Sequence, residues 1–505
     1  MNNHADLAAG ANEERPAAPR RPGMATHYLR YSISNGLILL AGFISFPILT
    51  RLLDNTQFGL LRYYETAMLL GVAIAKLGIP HAIVRFYPYV GGPGALRSFG
   101  TNLVLLPMLL SVGLWATGMA GVVAWLWMRG SQLPLLGWCA LAMVPMLSAI
   151  SIGQMVVRAS ERSDIVMAIK ISGRMLELGL VLGAVMLVQA SALAVLGGKL
   201  LAMVVLLAWM LHWMHRNVRV ARDAVDWGAV RAGLVFGLPL MAHEFAFSML
   251  ANLDRVLLKQ LTGDFAAVGI YAIGHALAMH LNVFIDATLY EAFTPVVTRR
   301  YEEGGNAAVR ALKRQVLVPM TYAVVGIIAM VLVSGHDLLV ALSGPGKAAS
   351  GEVFVVVGIT ISTYALFSIA NYGLQLKHRT MRVLVITLGA ALLNVAANFV
   401  LIPRMGYMGA AWSCAISYGA LCIAQYVSCP KGLAQFPPGR AIGMALGCAA
   451  LLLAVAMGTD LFGLESAWSR LGGAALLFLL LYAAPVLALD PVLRGAAQAM
   501  LRRSI

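Results

Sequence analysis

Long apolar segments separated by short polar ones make up most of this chain. An α-helix needs about twenty predominantly apolar residues to cross a hydrocarbon core of about 30 Å. About fourteen segments meet that length, near residues 30–52, 59–80, 99–127, 133–157, 166–188, 191–213, 232–258, 266–293, 316–334, 352–375, 382–402, 407–428, 441–459 and 468–489. The pattern predicts an all-α polytopic membrane protein with about fourteen transmembrane helices.

Composition and charge support this prediction. Of the 505 residues, 60% are hydrophobic and 12% are charged, whereas soluble domains are about 25% charged. Most Lys and Arg residues fall in the N-terminal tail and in the even-numbered loops, such as RNVRVARDAVDWGAVR and RRYEEGGNAAVRALKR. The positive-inside rule places these loops and both termini in the cytoplasm. This placement explains most of the net charge of +15 without a nucleic-acid partner.

The cysteines and the N-terminus indicate no further chemistry. The five cysteines show no CxxC or Cys/His spacing, so the sequence predicts neither a metal site nor a disulfide framework. Residues 1–25 lack the apolar core of a signal peptide and are predicted to form a disordered cytoplasmic tail. No loop is long enough to fold as a separate soluble domain.

The hairpin of residues 233–293 carries polar residues on apolar helices. Ionisable groups at membrane depth cost at least about 2.5 kcal/mol unless they face protein or water. Two stripes at helical spacing stand out: Glu244, Ser248, Ala251 and Arg255 on the first helix, and His275, Met279, Asn282 and Asp286 on the second. Stripes of this kind line a cavity or a neighbouring helix, and the size of the set favours a water-filled cavity.

The same hairpin is similar to the first one in the chain. In both, a helix with small and polar residues ends near a basic residue and a Leu pair. After a short turn come Phe58-Gly59-Leu60 in one copy and Val268-Gly269-Ile270 in the other. The copies lie six spans apart, so they share one orientation and predict a parallel repeat, an architecture found in transporters. In the fifth span, Gly179 and Gly183 form a GxxxG pair that predicts close helix packing.

Two stretches resemble a known family. SNGLILLAGFISFPILTRLLDNTQFGLLRYY near the N-terminus and GLPLMAHEFAFSMLANLDRVLLKQLTGDFAAVGIYAIG in the second half resemble polysaccharide transport proteins. These are the O-antigen and exopolysaccharide repeat-unit flippases of the multidrug/oligosaccharidyl-lipid/polysaccharide exporter superfamily. The resemblance implies MATE-like six-helix lobes at 26–215 and 216–430, a V-shaped cavity between them, alternating access, and two further helices at 431–505.

A flippase of this kind is a transporter in the bacterial inner membrane, not an enzyme. The resemblance implies a lipid-linked oligosaccharide as cargo and membrane lipids, a glycan polymerase and export machinery as partners, with no cofactor. A cargo with a diphosphate headgroup needs a wet, cation-lined path. The candidate headgroup residues are Arg174, Arg255, Lys76, Asn35 and Asn282. Three of them have rival interpretations. Arg174 at i−3 from Glu177 can form a packing ion pair, and Arg255 and Lys76 can each extend a charged group to the membrane surface.

Ion coupling needs acids or histidines buried inside the membrane. The candidates for coupling or gating are Glu177, Glu244, Asp254, Asp286 and His275, and the sequence leaves proton and sodium coupling both open. Two other functions are the alternatives. A MATE-like cation-coupled exporter of small molecules usually carries a carboxylate in the first helix of a lobe, and residues 30–51 contain none. A polytopic glycan polymerase or ligase needs a large catalytic loop, which the pattern lacks.

Overall fold

The computed structural model describes residues 24–89, 92–285, 291–459, 464, 466–491 and 493–495, with the backbone alone for 24–35, 93, 282–285 and 291–292. All regular elements in these ranges are helices. Most of the predicted tail 1–25 lies outside the described residues, and Met24 and Ala25 begin the first helix.

The N-terminal lobe comprises the first eight helices. They are α1 (Met24–Leu52), α2 (Asn55–Ala75), α3 (Ile79–Phe86), α4 (Pro93–Phe99), α5 (Leu106–Met128), α6 (Leu135–Ala159), α7 (Ser163–Leu187) and α8 (Ala192–Asn217). A π-helical turn, Gly100–Leu105, joins α4 to α5.

The C-terminal lobe and the final helices follow in the same order as the predicted spans. The lobe contains α9 (Trp227–Asn252), α10 (Asp254–Thr262), α11 (Phe265–Ile285), α12 (Glu291–Ser343), α13 (Ala349–Ala370), α14 (Gly373–Leu376), α15 (Thr380–Met405) and α16 (Tyr407–Ser428). The final helices are α17 (Gly439–Gly458), α18 (Ala467–Phe478) and α19 (Ala484–Leu489), and α17 and α18 pack on α12.

Eleven helices in the described part of the chain are long and apolar enough to cross a membrane. Two further predicted spans correspond to shorter apolar helices, Gly36–Leu52 and Phe265–Leu281. The predicted span near 166–188 is α7, which carries several charged residues. The all-helical membrane architecture is therefore confirmed, and the count of fourteen is not.

Helix packing is duplicated between the lobes. In the N-terminal lobe α1 packs on α7, α2 on α6, α6 on α8 and α7 on α8. In the C-terminal lobe α9 and α10 pack on α15, α11 on α13, α13 on α16 and α15 on α16. Each of these four contacts of the first lobe has its counterpart six spans later, as the predicted parallel repeat requires. The predicted residue boundaries of the lobes stay predictions.

The two glycines of the predicted repeat meet where α2 crosses α11. A Cβ atom on Gly59 would lie 1.9 Å from the carbonyl oxygen of Phe265, and one on Gly269 would lie 1.8 Å from that of Asn55. Gly59 therefore contacts Phe265, four residues before Gly269, and Gly269 contacts Asn55, four residues before Gly59. Such equivalent contacts on both sides are expected of an approximate two-fold axis. Small residues at these positions let the two backbones approach closely.

Two predicted boundaries are wrong. The predicted span 232–258 is two helices, because the chain bends at Leu253, where the Asn252 amide donates a hydrogen bond back to the Ser248 carbonyl at 3.2 Å. The predicted loop RRYEEGGNAAVRALKR is helical and lies within α12. Its only non-helical residue is Gly305, whose φ of 59° and ψ of −149° break the long helix into two segments.

The predicted close packing at Gly179 and Gly183 is also wrong. A Cβ atom on either glycine would meet nothing within 4 Å. Instead α8 approaches α7 through Gly198, whose Cβ position lies 2.9 Å from the Leu180 carbonyl oxygen.

The linker between the lobes, residues 218–226, is fixed to the N-terminal lobe. Two buried residues of the π-helical turn hold it. The Ala221 amide donates to the Thr101 hydroxyl at 3.0 Å, and the Asn102 side chain donates to the Ala224 carbonyl and accepts from the Asp226 amide, both at 2.8 Å. These side chains thus pair backbone amide and carbonyl groups of the linker that have no partner within a helix.

Candidate functional site

A central cavity of about 550 Å³ lies between the two lobes. Its walls come from α2 of the N-terminal lobe and from α9, α10 and α11 of the C-terminal lobe. The lining residues that carry charge or imidazole are Arg62, Glu65, Lys76, Glu244, Arg255, His275 and His280.

The polar stripes predicted from helical spacing face this cavity. Glu244, Ser248, Ala251 and Arg255 all line it, although the chain bends between the third and the fourth. His275 of the second stripe lines it as well, next to Met279 on the same face. The prediction that these costly groups face an interior space is therefore confirmed for the described side chains.

Arg255 is buried in the cavity wall among neutral partners. Its side chain is held by the Asn252 amide oxygen at 2.7 Å and by the Nδ1 atom of His275 at 2.9 Å. A guanidinium only donates hydrogen bonds, so Nδ1 of His275 is the acceptor and the ring is neutral. The Nε atom of Arg255 is buried and makes no hydrogen bond in the described structure.

A smaller cavity of about 140 Å³ lies beside the first, between α1, α2, α7, α8 and α11. Arg62 and His280 line both spaces. The His280 ring packs against Phe43 and Phe46, with centroid distances of 5.1 and 5.6 Å. The two spaces are therefore neighbours that share a wall.

A continuous chain of charged groups follows this shared wall. Arg62 donates to Glu65 at 2.9 Å, and Lys199 bonds the other oxygen of the same carboxylate. Lys199 also lies 3.8 Å from Glu177, which is 3.3 Å from Arg174. The predicted pairing of Arg174 with Glu177 is confirmed, and here it is part of a network of three cations and two carboxylates.

At one end of α2 an ion pair between the lobes lines the cavity. The Lys76 amine donates to Glu244 at 2.7 Å, and His81 lies 4.0 Å from the same carboxylate. Nearby, Gly78 meets Gly237 of α9 at backbone contact. The interpretation of Lys76 as a membrane-surface anchor is wrong, because its amine turns inward to a carboxylate of the other lobe.

At the other end of α2 two basic residues join the turns of the lobes. Arg51 donates to the carbonyl oxygens of Leu342 and Ala341 at 2.8 and 2.7 Å. Lys347 is buried and donates to the Leu53 carbonyl and the Asn55 side chain, both at 2.8 Å. Four hydrogen bonds thus join the lobes at this end, against one ion pair at the opposite end.

Asp254 lies away from the cavity despite its neighbour Arg255. It is 0% exposed and accepts hydrogen bonds from the Tyr271 hydroxyl at 2.6 Å and the Asn398 amide at 2.7 Å. Asn398 also donates to Asn394 of the same helix, α15, at 3.0 Å. Among the described residues no cation lies within salt-bridge distance of this carboxylate.

Of the ten predicted site residues, six surround the two cavities. These are Lys76, Arg174, Glu177, Glu244, Arg255 and His275. Asp254 is sealed between helices, the side chains of Asn35 and Asn282 are not described, and Asp286 lies outside the described residues. The roles assigned to all ten stay predictions.

Three members of the charged network were not predicted as site residues. They are Arg62, Glu65 and Lys199. The structure puts all three inside α2 and α8, with Glu65 only 6% exposed. The signal was present in GGKLLAMVV and in RYYETAMLL, where a charge interrupts an apolar run two turns or more from the helix start.

A family model for polysaccharide biosynthesis proteins matches residues 27–300, just over half of the chain. The chain belongs to this family. The match begins in α1 and extends into α12, so it includes both hairpins of the repeat and every residue of the charged network. The family expected from the two sequence stretches is thus confirmed.

Among curated relatives, AglR of Haloferax volcanii, a probable flippase, is 31% identical over 183 residues. The match covers 35% of this chain and 37% of that relative. The chain therefore spans little more than a third of the relative's length.

Solved structures show the fold. The lipid II flippase MurJ in an inward closed conformation has a TM-score of 0.66 at 10% identity, covering 91% of this chain and 97% of that one. An inward-facing multidrug resistance MATE family transporter of the MOP superfamily has a TM-score of 0.59 at 15% identity, covering 79% and 96%. A MOP superfamily transporter from Pyrococcus furiosus has a TM-score of 0.54 at 15% identity, covering 81% and 95%. The chain is a polytopic membrane protein with the fold of these transporters.

Proposed function

We propose that this protein is a flippase that moves a polyprenyl-diphosphate-linked oligosaccharide from the cytoplasmic to the periplasmic leaflet of a bacterial inner membrane. The observation that carries the proposal is the cationic excess around two adjoining cavities between the lobes. Five basic side chains, Arg62, Lys76, Arg174, Lys199 and Arg255, face three carboxylates, Glu65, Glu177 and Glu244.

The sign of this excess fits the cargo. A diphosphate headgroup brings about two negative charges, and the walls with neutral histidines carry two positive charges more than they carry negative ones. Buried guanidinium groups form short, charge-assisted hydrogen bonds with phosphate oxygens. Arg62, Arg174 and Arg255 each have a buried Nε atom without a hydrogen bond in the described structure, so each can still donate to an anion.

Alternating access would use the contacts between the lobes at the two ends of α2 as its closures. The α1–α2 turn lies on the side that the positive-inside rule makes periplasmic, and the Lys76–Glu244 pair lies on the cytoplasmic side. The periplasmic closure uses four hydrogen bonds and the cytoplasmic one a single, partly exposed ion pair. The headgroup enters by separating Lys76 from Glu244 and leaves after Arg51 and Lys347 release their partners.

Asp254 is the candidate for ion coupling. An ionised carboxylate without a cation is costly to bury, so binding of a proton or a sodium ion would stabilise it. Its neighbours Asn394 and Asn398 each have a buried polar atom without a hydrogen bond in the described structure, the amide nitrogen of Asn394 and the amide oxygen of Asn398. Because Asp254 packs against α11 and α15, its occupancy would change how these two helices pack, and α11 also lines the cavity.

Depletion of the protein in its host tests the flippase proposal. We expect lipid-linked repeat units to accumulate on the cytoplasmic leaflet, with rescue by the wild type and not by Arg174→Gln. Arg216→Gln is the matched control, since Arg216 is exposed on α8 and lines neither cavity. Sensitivity to cationic dyes without glycan accumulation would instead support a MATE-like exporter, and loss of polymer with normally flipped repeat units would support a polymerase.

Transport in vesicles with an imposed gradient tests the coupling. Wild-type transport should respond to a proton gradient or to a sodium gradient, and Asp254→Asn should abolish that response while downhill exchange continues. Equal responses of the variant and the wild type would remove Asp254 from the coupling mechanism.

A further inference from the structure

A third pocket, of about 270 Å³, lies in the N-terminal lobe away from both transport cavities. It is bounded by the end of α3, by α4, by the ends of α6 and α8, and by the start of the linker between the lobes. Its lining shares no residue with either cavity.

The pocket combines aromatic walls with a basic rim. Tyr87, Phe99 and Trp213 line it, and the Tyr87 and Phe99 rings meet edge to face at a centroid distance of 5.1 Å. Arg162 and Arg219 are its charged lining residues. Glu161 acts electrostatically on Tyr87 and is not part of the lining.

The two arginines differ in their partners. Arg162 forms a two-point ion pair with Asp164, at 3.2 and 3.1 Å, on the exposed α6–α7 turn. Arg219 is exposed, and no carboxylate within the described part of the chain lies at salt-bridge distance from it. Arg219 therefore supplies an uncompensated positive charge at the pocket mouth.

The position in the membrane identifies the class of ligand. This end of the lobe carries the even-numbered loops, which the positive-inside rule makes cytoplasmic. Further exposed arginines, Arg97, Arg216 and Arg222, lie on α4, α8 and the linker, outside the pocket lining. Trp and Tyr side chains concentrate where hydrocarbon meets headgroups. Basic pockets between transmembrane helices on the cytoplasmic side bind acidic lipid headgroups.

We propose that this pocket binds the headgroup of an anionic phospholipid of the cytoplasmic leaflet. The phosphate lies between Arg162 and Arg219, the Asn217 and Ser160 side chains at the rim are within the reach of headgroup hydroxyls, and the glycerol and first acyl carbons pack on the aromatic walls. The proposal does not depend on which cargo the transport cavities carry.

Occupancy of the pocket would restrain the linker between the lobes. Arg219 is the second residue of that linker, and Thr101 and Asn102 fix the linker just beyond it. A phosphate shared by Arg162 and Arg219 ties the linker to the α6–α7 turn as well. A bound anionic lipid is thus expected to restrict the motion of the linker that connects the two lobes.

Native mass spectrometry of the full chain tests the proposal. After extraction from nanodiscs of phosphatidylcholine with about one quarter phosphatidylglycerol, one phosphatidylglycerol should stay bound per chain. The Arg162→Gln/Arg219→Gln double variant should lose at least about ten-fold in occupancy. The matched control is Arg216→Gln/Arg222→Gln, which removes the same charge from exposed positions outside the pocket and should keep the lipid.

Each other outcome contradicts the proposal. If both double variants lost bound phosphatidylglycerol equally, the lipid would bind to a diffuse basic surface and not to this pocket. If phosphatidylcholine were retained equally well, the pocket would not recognise the charge of the headgroup. Displacement of the lipid by millimolar inorganic phosphate would mean a site for a soluble anion. Because all four arginines are exposed, the variants should fold, and an unchanged thermal midpoint verifies this.

Discussion

Among the basic residues that line the two cavities, Arg255 is the one whose hydrogen-bond partners in the described structure are all neutral. The other basic residues of the cavity walls either pair with a carboxylate or belong to the network through Glu65 and Glu177. Arg255 has only Asn252 and His275 as hydrogen-bond partners. A cation held by neutral groups keeps most of its charge available to an anion that enters the cavity.

Arg255→Gln should therefore weaken cargo binding with little effect on the fold. A charge-assisted hydrogen bond contributes about 2 kcal/mol, or about thirty-fold in affinity. Binding of a polyprenyl-diphosphate analogue to the purified protein measures this. Arg404→Gln, at an exposed position on α15, is the control, and equal affinities of the two variants would exclude Arg255 from the binding site.

Glu65 should be the residue on which the charged network depends for stability. Glu65→Gln leaves Arg62 and Lys199 without their shared carboxylate, and breaking a buried pair costs about 3 kcal/mol. The thermal midpoint in detergent should fall, and adding Lys199→Gln to the variant should recover most of the loss because the charges are then removed in equal number. A midpoint unchanged by Glu65→Gln would contradict the geometry of the network.

Cavity-facing side chains were predicted better in the hairpin of residues 233–293 than in the first hairpin of the chain. Glu244 and Arg255 were identified because two helical stripes repeat at a clear spacing. Glu65 and Lys199 are single charges within apolar runs, and their meeting depends on the contact between α2 and α8, which no local pattern contains. The hydrogen-bond partners of Asp254 could not be predicted from the sequence either, because Asn398 on α15 lies 144 residues away along the chain.

Among the helices, the crossing of α2 and α11 joins the lobes most closely. Gly59→Ala would bring a methyl group within 1.9 Å of the Phe265 carbonyl, so the helices must separate, at a cost of about 1–3 kcal/mol. We expect a lower thermal midpoint for Gly59→Ala and for Gly269→Ala. Gly179→Ala is the control, because its Cβ would meet nothing within 4 Å and alanine is a better helix former than glycine. A thermal midpoint that falls equally in the control would contradict this prediction.

Lys347 should act as a latch at the α1–α2 turn. Lys347→Ala removes the donor from the Leu53 carbonyl and the Asn55 side chain and should favour opening of that end. A cysteine introduced at Leu69, a cavity-lining position, should then react several-fold faster with a membrane-impermeant maleimide from the periplasmic side. Lys431→Ala, at an exposed position, should leave the rate unchanged, and no difference between the two variants would mean that Lys347 is not a latch.

The helices themselves were mostly predictable, and their interruptions were not. Apolar length identifies the spans because a membrane imposes it. The bend at Leu253 and the helical course of the loop before Gln315 arise from side-chain hydrogen bonds and from packing on other helices, so they do not appear in hydropathy. The glycine pair Gly59 and Gly269 was visible as a repeat, although only the structure shows that the two copies contact each other.

The molecule as a whole combines two matching bundles, a cation-rich space between them and a closure at each end. The parallel repeat makes the two bundles similar in packing, while the charges are distributed unevenly between them. The N-terminal lobe contributes the network of Arg62, Glu65, Glu177, Arg174 and Lys199, and the C-terminal lobe contributes Glu244 and Arg255. A headgroup between the lobes therefore touches cations from both, and can be passed from one closure to the other as the lobes rock.

Leaflet exchange in proteoliposomes tests this central claim most directly. The purified protein is reconstituted with a polyprenyl-diphosphate-linked oligosaccharide in the inner leaflet, and an impermeant lectin reports its arrival outside. The wild type should transfer the lipid within minutes, Arg174→Gln/Arg255→Gln should slow transfer to the rate of empty vesicles, and Arg216→Gln/Arg404→Gln should match the wild type. Equal transfer by the two double variants, or none by a correctly folded wild type, would contradict a cation-lined path for the headgroup.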